Sequence, residues 1–243
     1  VYIECISING GSKDNAIPRE CKAEILVNER DVLKVKEQTE RMNNIIRSEY
    51  SSSDSDVNIT LKEEGYGTYT VMLPEDLNNI LFYLNNIPNG VVNMNPDIQG
   101  LVETSLNLGI LTTADNCMTA VSAVRSSVGT RKDYVIQKLE SMADKAGGFT
   151  EVRGEYPEWE FKKESYLRDV VLGTYKELYK REPVTNVIHA GLECGYLSSK
   201  KPDIDIVAMG PDIYDIHTTE ERMSIESVAR VYTLITEILK RLH

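Results

Sequence analysis

Histidine is scarce in this chain, with three residues in 243, at positions 189, 217 and 243. No HExxH pattern is present, so the chain shows no complete metal site of its own. Cysteine is also sparse: four residues (Cys5, Cys21, Cys117, Cys194), widely spread and without a CxxC pair. Reduced thiols are therefore the expected state. Basic charge is in deficit, with 27 Lys and Arg against 38 Asp and Glu, giving a formal charge of -11. A nucleic-acid surface needs clustered Lys and Arg, and this balance argues against one. No apolar run is long enough to span a bilayer, and no signal peptide is apparent, so a cytoplasmic protein is expected. The sequence opens Val-Tyr-Ile-Glu without an initiator Met, inside an apparent strand, and a fragment or a processed chain is expected.

What is present suits a globular protein. The chain is 41% hydrophobic and 27% charged, and is long enough for one large or two modest domains. Residues 1–8 are rich in β-branched and aromatic residues and read as a strand, and 21–27 reads as a second, with Pro18 at its entry. Apolar spacing predicts helices over 31–47, 74–87, 133–146, 165–181 and 225–242. Residues 101–113 and 118–126 read as a hairpin turning at Asp115-Asn116. Short strands are predicted at 57–61, 149–153, 184–189 and 204–208.

These elements place the chain in a mixed α/β and α+β class. The first 150 or so residues read as an antiparallel sheet with helices on one face, and the rest as a piece of an α/β sheet domain. Composition changes at Gly154-Glu-Tyr-Pro-Glu-Trp159, the candidate boundary, which gives domains over 1–154 and 155–243.

The stretch 187–227 gathers two of the three histidines among many carboxylates. His217 sits in a polar loop with Asp215, Glu220 and Glu221 close in sequence. It reads either as a zinc ligand or as an exposed, hydrogen-bonding loop histidine. In His189-Ala-Gly-Leu-Glu-Cys-Gly195, Gly191 and Gly195 allow a backbone to approach a ligand, and Glu193 offers a carboxylate to an ammonium group. A tight turn with an exposed carboxylate explains the same residues. Arg125 ends an apolar strand, where its guanidinium fork matches either a substrate carboxylate or a surface ion-pair partner. Asn15 lies in a turn before Ile17-Pro18; its amide can donate to an oxyanion, or it is an ordinary turn asparagine.

Several stretches together resemble the aminoacyl-histidine (Xaa-His, β-alanyl-histidine or carnosinase-like) dipeptidases. They are Asn15-Ala-Ile-Pro-Arg-Glu20 after Gly10-Gly11, Val102-Glu-Thr-Ser-Leu-Asn-Leu-Gly109, Val124-Arg-Ser126, Tyr156-Pro-Glu-Trp159, His189-Ala-Gly-Leu-Glu-Cys-Gly195, and Gly210-Pro211 with His217 and Glu220. That family lies in the two-zinc peptidase class that includes carboxypeptidase G2 and aminoacylase. The resemblance covers essentially the whole chain but only the C-terminal half of such an enzyme. It implies that residues 1–154 are a lid, or dimerisation, domain lacking its start, and that 155–243 complete a two-zinc α/β peptidase domain. It implies metal ligation by His217, binding of the substrate carboxylate by Arg125, and reach toward the reacting carbonyl by Asn15. Gly191 and Glu193 fall where the family lines the substrate pocket. The general base and the remaining metal ligands are expected in polypeptide that precedes this chain. A dipeptide substrate, a zinc cofactor and a homodimer are implied, and this chain alone is expected to be inactive.

Two other functions compete. An isolated lid-like module would serve binding or dimerisation without catalysis. A metal-independent amidohydrolase would use Cys194 and His189, although nothing in the sequence marks Cys194 as a reactive thiolate.

Overall fold

A computed structural model describes residues 1–114, 117–185, 193–216 and 218–242. In chain order the elements are β1 (Ile3–Gly10), β2 (Cys21–Val27), α1 (Val32–Glu49), α2 (Pro74–Asn86), β3 (Gly90–Met94), β4 (Val102–Ala114), β5 (Cys117–Ser126), α3 (Gly129–Lys145), α4 (Tyr166–Tyr179), α5 (Glu193–Lys200), β6 (Ile213–Tyr214), β7 (Arg222–Met223) and α6 (Ile225–Arg241). The mixed class with an antiparallel sheet is borne out. Five strands form one sheet in the order β2-β1-β4-β3, with β5 also pairing β4. A two-residue hairpin, β6-β7, stands apart from it.

The chain divides into two compact units: 1–90, 106–124 and 135–150 form the first, and 91–105, 125–134 and 151–243 the second. Strands β4 and β5 and helix α3 each run from one unit into the other. In the first unit, β1 and β2 pair antiparallel from Ile3↔Val27 to Gly10↔Cys21, with an irregularity between Cys5 and Ser7. Its buried apolar residues include Cys5, Leu106, Leu111, Val135 and Leu139. Side chains supplement the sparse backbone pairing of β1 with β4. Thr113 Oγ1 accepts from Ile8 N at 3.0 Å and donates to Ile8 O at 2.9 Å, and Asn9 Oδ1 accepts from Thr113 N at 2.8 Å.

The second unit is organised by α4 against α6. Val171, Leu234 and Ile238 form its buried apolar cluster, with Leu167, Val170, Tyr175, Tyr179 and Val207 packed around it. Tyr179 Oη donates to Arg230 O at 2.7 Å, so the phenol keeps a partner where its ring is covered. The start of α4 is doubly capped. Ser165 Oγ accepts from Arg168 N at 3.0 Å, while Asp205 accepts from Ser165 Oγ at 2.6 Å and from Leu167 N at 2.8 Å.

Several expectations need correction. The alternating run 57–61 is not a strand; Ile59 N donates to Asn43 Oδ1 of α1 at 2.7 Å instead of to a ladder. Residues 149–153 follow Gly147, at φ 77°, without forming a strand. Residues 204–208 are half-buried at their centre but unpaired among the described residues, and Ile204 O accepts from Lys162 Nζ at 2.7 Å. The strand expected at 184–189 is not formed at 184–185, and its remainder lies outside the described residues, as does the Asp115-Asn116 turn. Helix α3 begins four residues before Asp133, and β3 and α5 appear where no regular element was expected.

Candidate functional site

Asn15 is exposed in the loop of residues 11–20 that joins β1 to β2, in the first unit. Gly11 N donates to Glu20 O at 3.2 Å and closes the base of this loop. Above the base, the loop is seated on β4. Asn107 Nδ2 donates to Asp14 O at 2.8 Å and to Ala16 O at 2.9 Å, the carbonyls on either side of Asn15. The backbones touch beside it: a Cβ on Gly109 would lie 2.5 Å from both Lys13 O and Asp14 O. Only a residue without a side chain fits there. Leu108 N donates to Asn89 Oδ1 at 2.8 Å, which holds β4 at the same level.

Arg125 is exposed and is the penultimate residue of β5, in the second unit. The corner that follows it is fixed by buried polar groups. Thr104 is fully buried, and its hydroxyl lies 2.9 Å from that of Ser126. Ser126 Oγ in turn spans Val128, accepting from its N–H at 3.1 Å. Ser127 N donates to Glu103 O at 3.2 Å, and the buried Glu103 carboxylate pairs with Arg131 Nε at 2.9 Å. The strand end that carries the guanidinium is thereby held on a rigid element.

Glu193 is the exposed first residue of α5. Its helix packs closely on the Tyr156-Pro-Glu-Trp159 segment of the same unit. Gly195 is buried, and a Cβ there would lie 2.3 Å from Pro157 O. Tyr156 and Tyr196 meet edge to face with ring centres 6.1 Å apart. Lys132 donates to Tyr156 O at 3.2 Å and pairs with Glu158, which ties the segment to the start of α3. Cys194 is half-exposed in α5. Gly191 and His189 lie outside the described residues.

Position 217 also lies outside the described residues; hydrogen bonds fix the residues on either side of it. Ile213 pairs with Met223 and Tyr214 with Arg222. Asp215 adopts φ 52°, and its carboxylate pairs with Arg222, whose guanidinium lies 5.2 Å from the centre of the Tyr214 ring. Thr218 Oγ1 donates to Asp215 O at 2.6 Å and accepts from Glu220 N at 3.2 Å. The base of the hairpin is tied to α6: Ser224 N donates to Asp212 O at 3.0 Å, and Asp212 N to Ser227 Oγ at 2.9 Å.

Of the five residues read as site candidates, Arg125 and Glu193 fall in the second unit and Asn15 in the first, while Gly191 and His217 are not described. Among the described residues, no group of three or more His, Cys, Asp or Glu is gathered so as to hold a metal ion. The described part of this chain therefore does not make up a metal centre. Among the described residues, no helix is long and apolar enough to cross a membrane. Asn107, Gly109 and Ser126 fall within motifs that carry the resemblance, but the sequence assigned none of them a supporting role. For Gly109 the available signal was a glycine inside a strand pattern, since it marks a close backbone approach.

Residues 2–54 match the Peptidase dimerisation domain. Over 240 residues, 99% of this chain, the sequence is 35% identical to the cytosol non-specific dipeptidase of Escherichia coli (strain K12), covering 49% of that protein. The fold matches aminoacylhistidine dipeptidase from Vibrio alginolyticus with a TM-score of 0.92 and 31% identity, over 98% of this chain and 49% of that one. It matches aminopeptidase PepT from Bacillus cereus ATCC 10987 with a TM-score of 0.52 and 19% identity, over 67% of this chain and 44% of that one, a likeness of fold alone. The resemblance carried by the motifs is thus borne out, and the chain spans about half the length of the dipeptidases it matches.

Proposed function

We propose that this chain, akin to the aminoacyl-histidine dipeptidases along nearly its whole length, is the C-terminal half of a metal-dependent dipeptidase that cleaves Xaa-His dipeptides. The observation that carries this reading is the TM-score of 0.92 over 98% of the chain, joined to 35% identity with a second dipeptidase. In this reading, residues 1–154 are the lid and 155–243 the returning segment of the catalytic domain. The protein is cytoplasmic and works as a homodimer, to which the match of residues 2–54 to a dimerisation domain lends support.

A two-zinc centre, when bound, supplies an activated water and polarises the scissile carbonyl. Its ligands come mostly from polypeptide outside this chain, with His217 the one ligand contributed from within it. Arg125 binds the substrate carboxylate through its guanidinium fork, a bidentate match that a lysine cannot reproduce. Asn15 donates its amide N–H toward the carbonyl oxygen as negative charge develops there. Gly191 and Glu193 line the pocket, where a carboxylate complements the free amino terminus of a dipeptide. With 1–154 read as the lid, Asn15 and Arg125 both belong to it by sequence, and on this reading specificity and rate depend on its closure.

The test is hydrolysis of a dipeptide panel by the intact protein, with bound zinc measured in parallel. Release of histidine from Xaa-His substrates by the intact protein, with no activity from residues 1–243 alone, is expected. A zinc-loaded intact protein inert on the whole panel would end this reading.

A further inference from the structure

We propose that Asn107 is a positioning residue for Asn15, and that Asn107, Gly109 and Gly11 together present the 11–20 loop as a preformed finger. As a role in the reaction, this rests on the dipeptidase reading above. The loop connects two strands over ten residues and is mostly exposed, with Ile17 at 85% exposure near its tip. Such a loop ordinarily loses conformational freedom when it engages a ligand. Here that loss has been met in folding.

One carboxamide nitrogen carries two N–H donors, and Asn107 commits both of them. They reach Asp14 O at 2.8 Å and Ala16 O at 2.9 Å, so the peptide segment bearing Asn15 is gripped on both sides of that residue. The Asn15 side chain takes no part in the grip. Gly11, at φ 70°, crosses Gly109 so closely that a Cβ would lie 1.8 Å from Gly109 O. Gly109 in turn leaves space for the Lys13 and Asp14 carbonyls. These three side-chain choices share one consequence, a fixed direction for the backbone that carries Asn15. A donor aimed at a developing charge acts best when it needs no reorganisation at the moment of reaction.

The experiment compares Asn107→Leu, Asn107→Asp and Asn15→Ala in the intact protein. Amide exchange of residues 12–17 is read alongside exchange in α6. Removing the two donors is expected to speed exchange in the loop about tenfold or more while leaving α6 unchanged. Asn107→Asp keeps the size but faces two carbonyls with a carboxylate, so it serves if the leucine variant folds poorly. Kinetically, Asn107→Leu should lower kcat about 10- to 100-fold with KM within about twofold, since the loop acts on the reacting carbonyl. Combined with Asn15→Ala it should add less than about twofold, because it works through that residue. Unchanged loop exchange in both Asn107 variants overturns the clamp. Faster exchange with kcat intact, where Asn15→Ala does lower kcat, overturns the positioning role. A silent Asn15→Ala instead counts against the catalytic reading of the loop, and the exchange data then uphold or overturn the clamp alone.

Discussion

Gly11 lies against the backbone of Gly109, where a Cβ on Gly11 would fall 1.8 Å from Gly109 O. Gly11 also holds φ 70°, a conformation that costs an L-residue about 1–2 kcal/mol. Gly11→Ala therefore combines backbone strain with a collision against a carbonyl oxygen. Gly147→Ala is the control, since Gly147 has φ 77° but nothing within 4 Å of where a Cβ would lie. Urea unfolding should show a loss of about 1 kcal/mol for the control and about 2 kcal/mol or more for Gly11→Ala. Equal losses would mean that the crossing contributes nothing beyond the dihedral.

At the start of α4, Asp205 reaches across from a distant segment to take the Leu167 N–H and the Ser165 hydroxyl. The Ser165 hydrogen bond is the main reason its carboxyl titrates below the ordinary aspartate range, helped by the Leu167 amide and nearby Lys162 and Arg168. Asp205→Ala should cost about 1 kcal/mol at neutral pH, the usual scale of a lost cap. The sign with pH follows from linkage. A depressed folded pKa means the contribution is complete above the unfolded value of about 3.9 and fades as pH falls through the lower folded value. Thermal melts of the parent and Asp205→Ala should therefore differ most near neutrality and converge in strong acid.

Helix α6 was legible in the sequence because its apolar residues repeat at helical spacing, and its first cap, Ser224, accepts from Ser227 N as capping chemistry requires. Strand β2 ran over the expected residues, between the proline that marks its entry and the apolar Ile25-Leu-Val27 that ends it. The run 57–61 has the same alternation yet stays out of the sheet, because pairing is a tertiary event and the Asn43 side chain takes an amide instead. The grip on Asn15 was hidden for a similar reason. Asn107 acts on carbonyls 93 and 91 residues earlier, a separation no local pattern encodes.

Leu234 and Leu239 lie on the same helix with opposite surroundings. Leu234 is buried against Val171 and Ile238, whereas Leu239 is 58% exposed. Leu234→Ala should destabilise this chain by about 2–5 kcal/mol through lost burial and the cavity left behind. Leu239→Ala should fall within about 0.5 kcal/mol of the parent. Denaturant midpoints at constant m-value decide the comparison.

Arg125 offers the sharpest test of how substrate is held. Lysine at this position keeps the charge but loses the planar fork, so Arg125→Lys separates bidentate recognition from simple attraction. A hydrogen bond to a charged group contributes about 1.5–3 kcal/mol, so losing one arm of the pair should raise KM for a dipeptide about tenfold or more. On the proposed reading the contact is made alike in the ground and transition states, and kcat should therefore change little. A dipeptide amide removes the carboxylate from the other side of the pair. The intact parent protein should handle that amide poorly, and Arg125→Lys should make it no worse. A variant that loses equally on the acid and the amide would place the guanidinium's role elsewhere, in holding the end of β5 rather than in touching substrate.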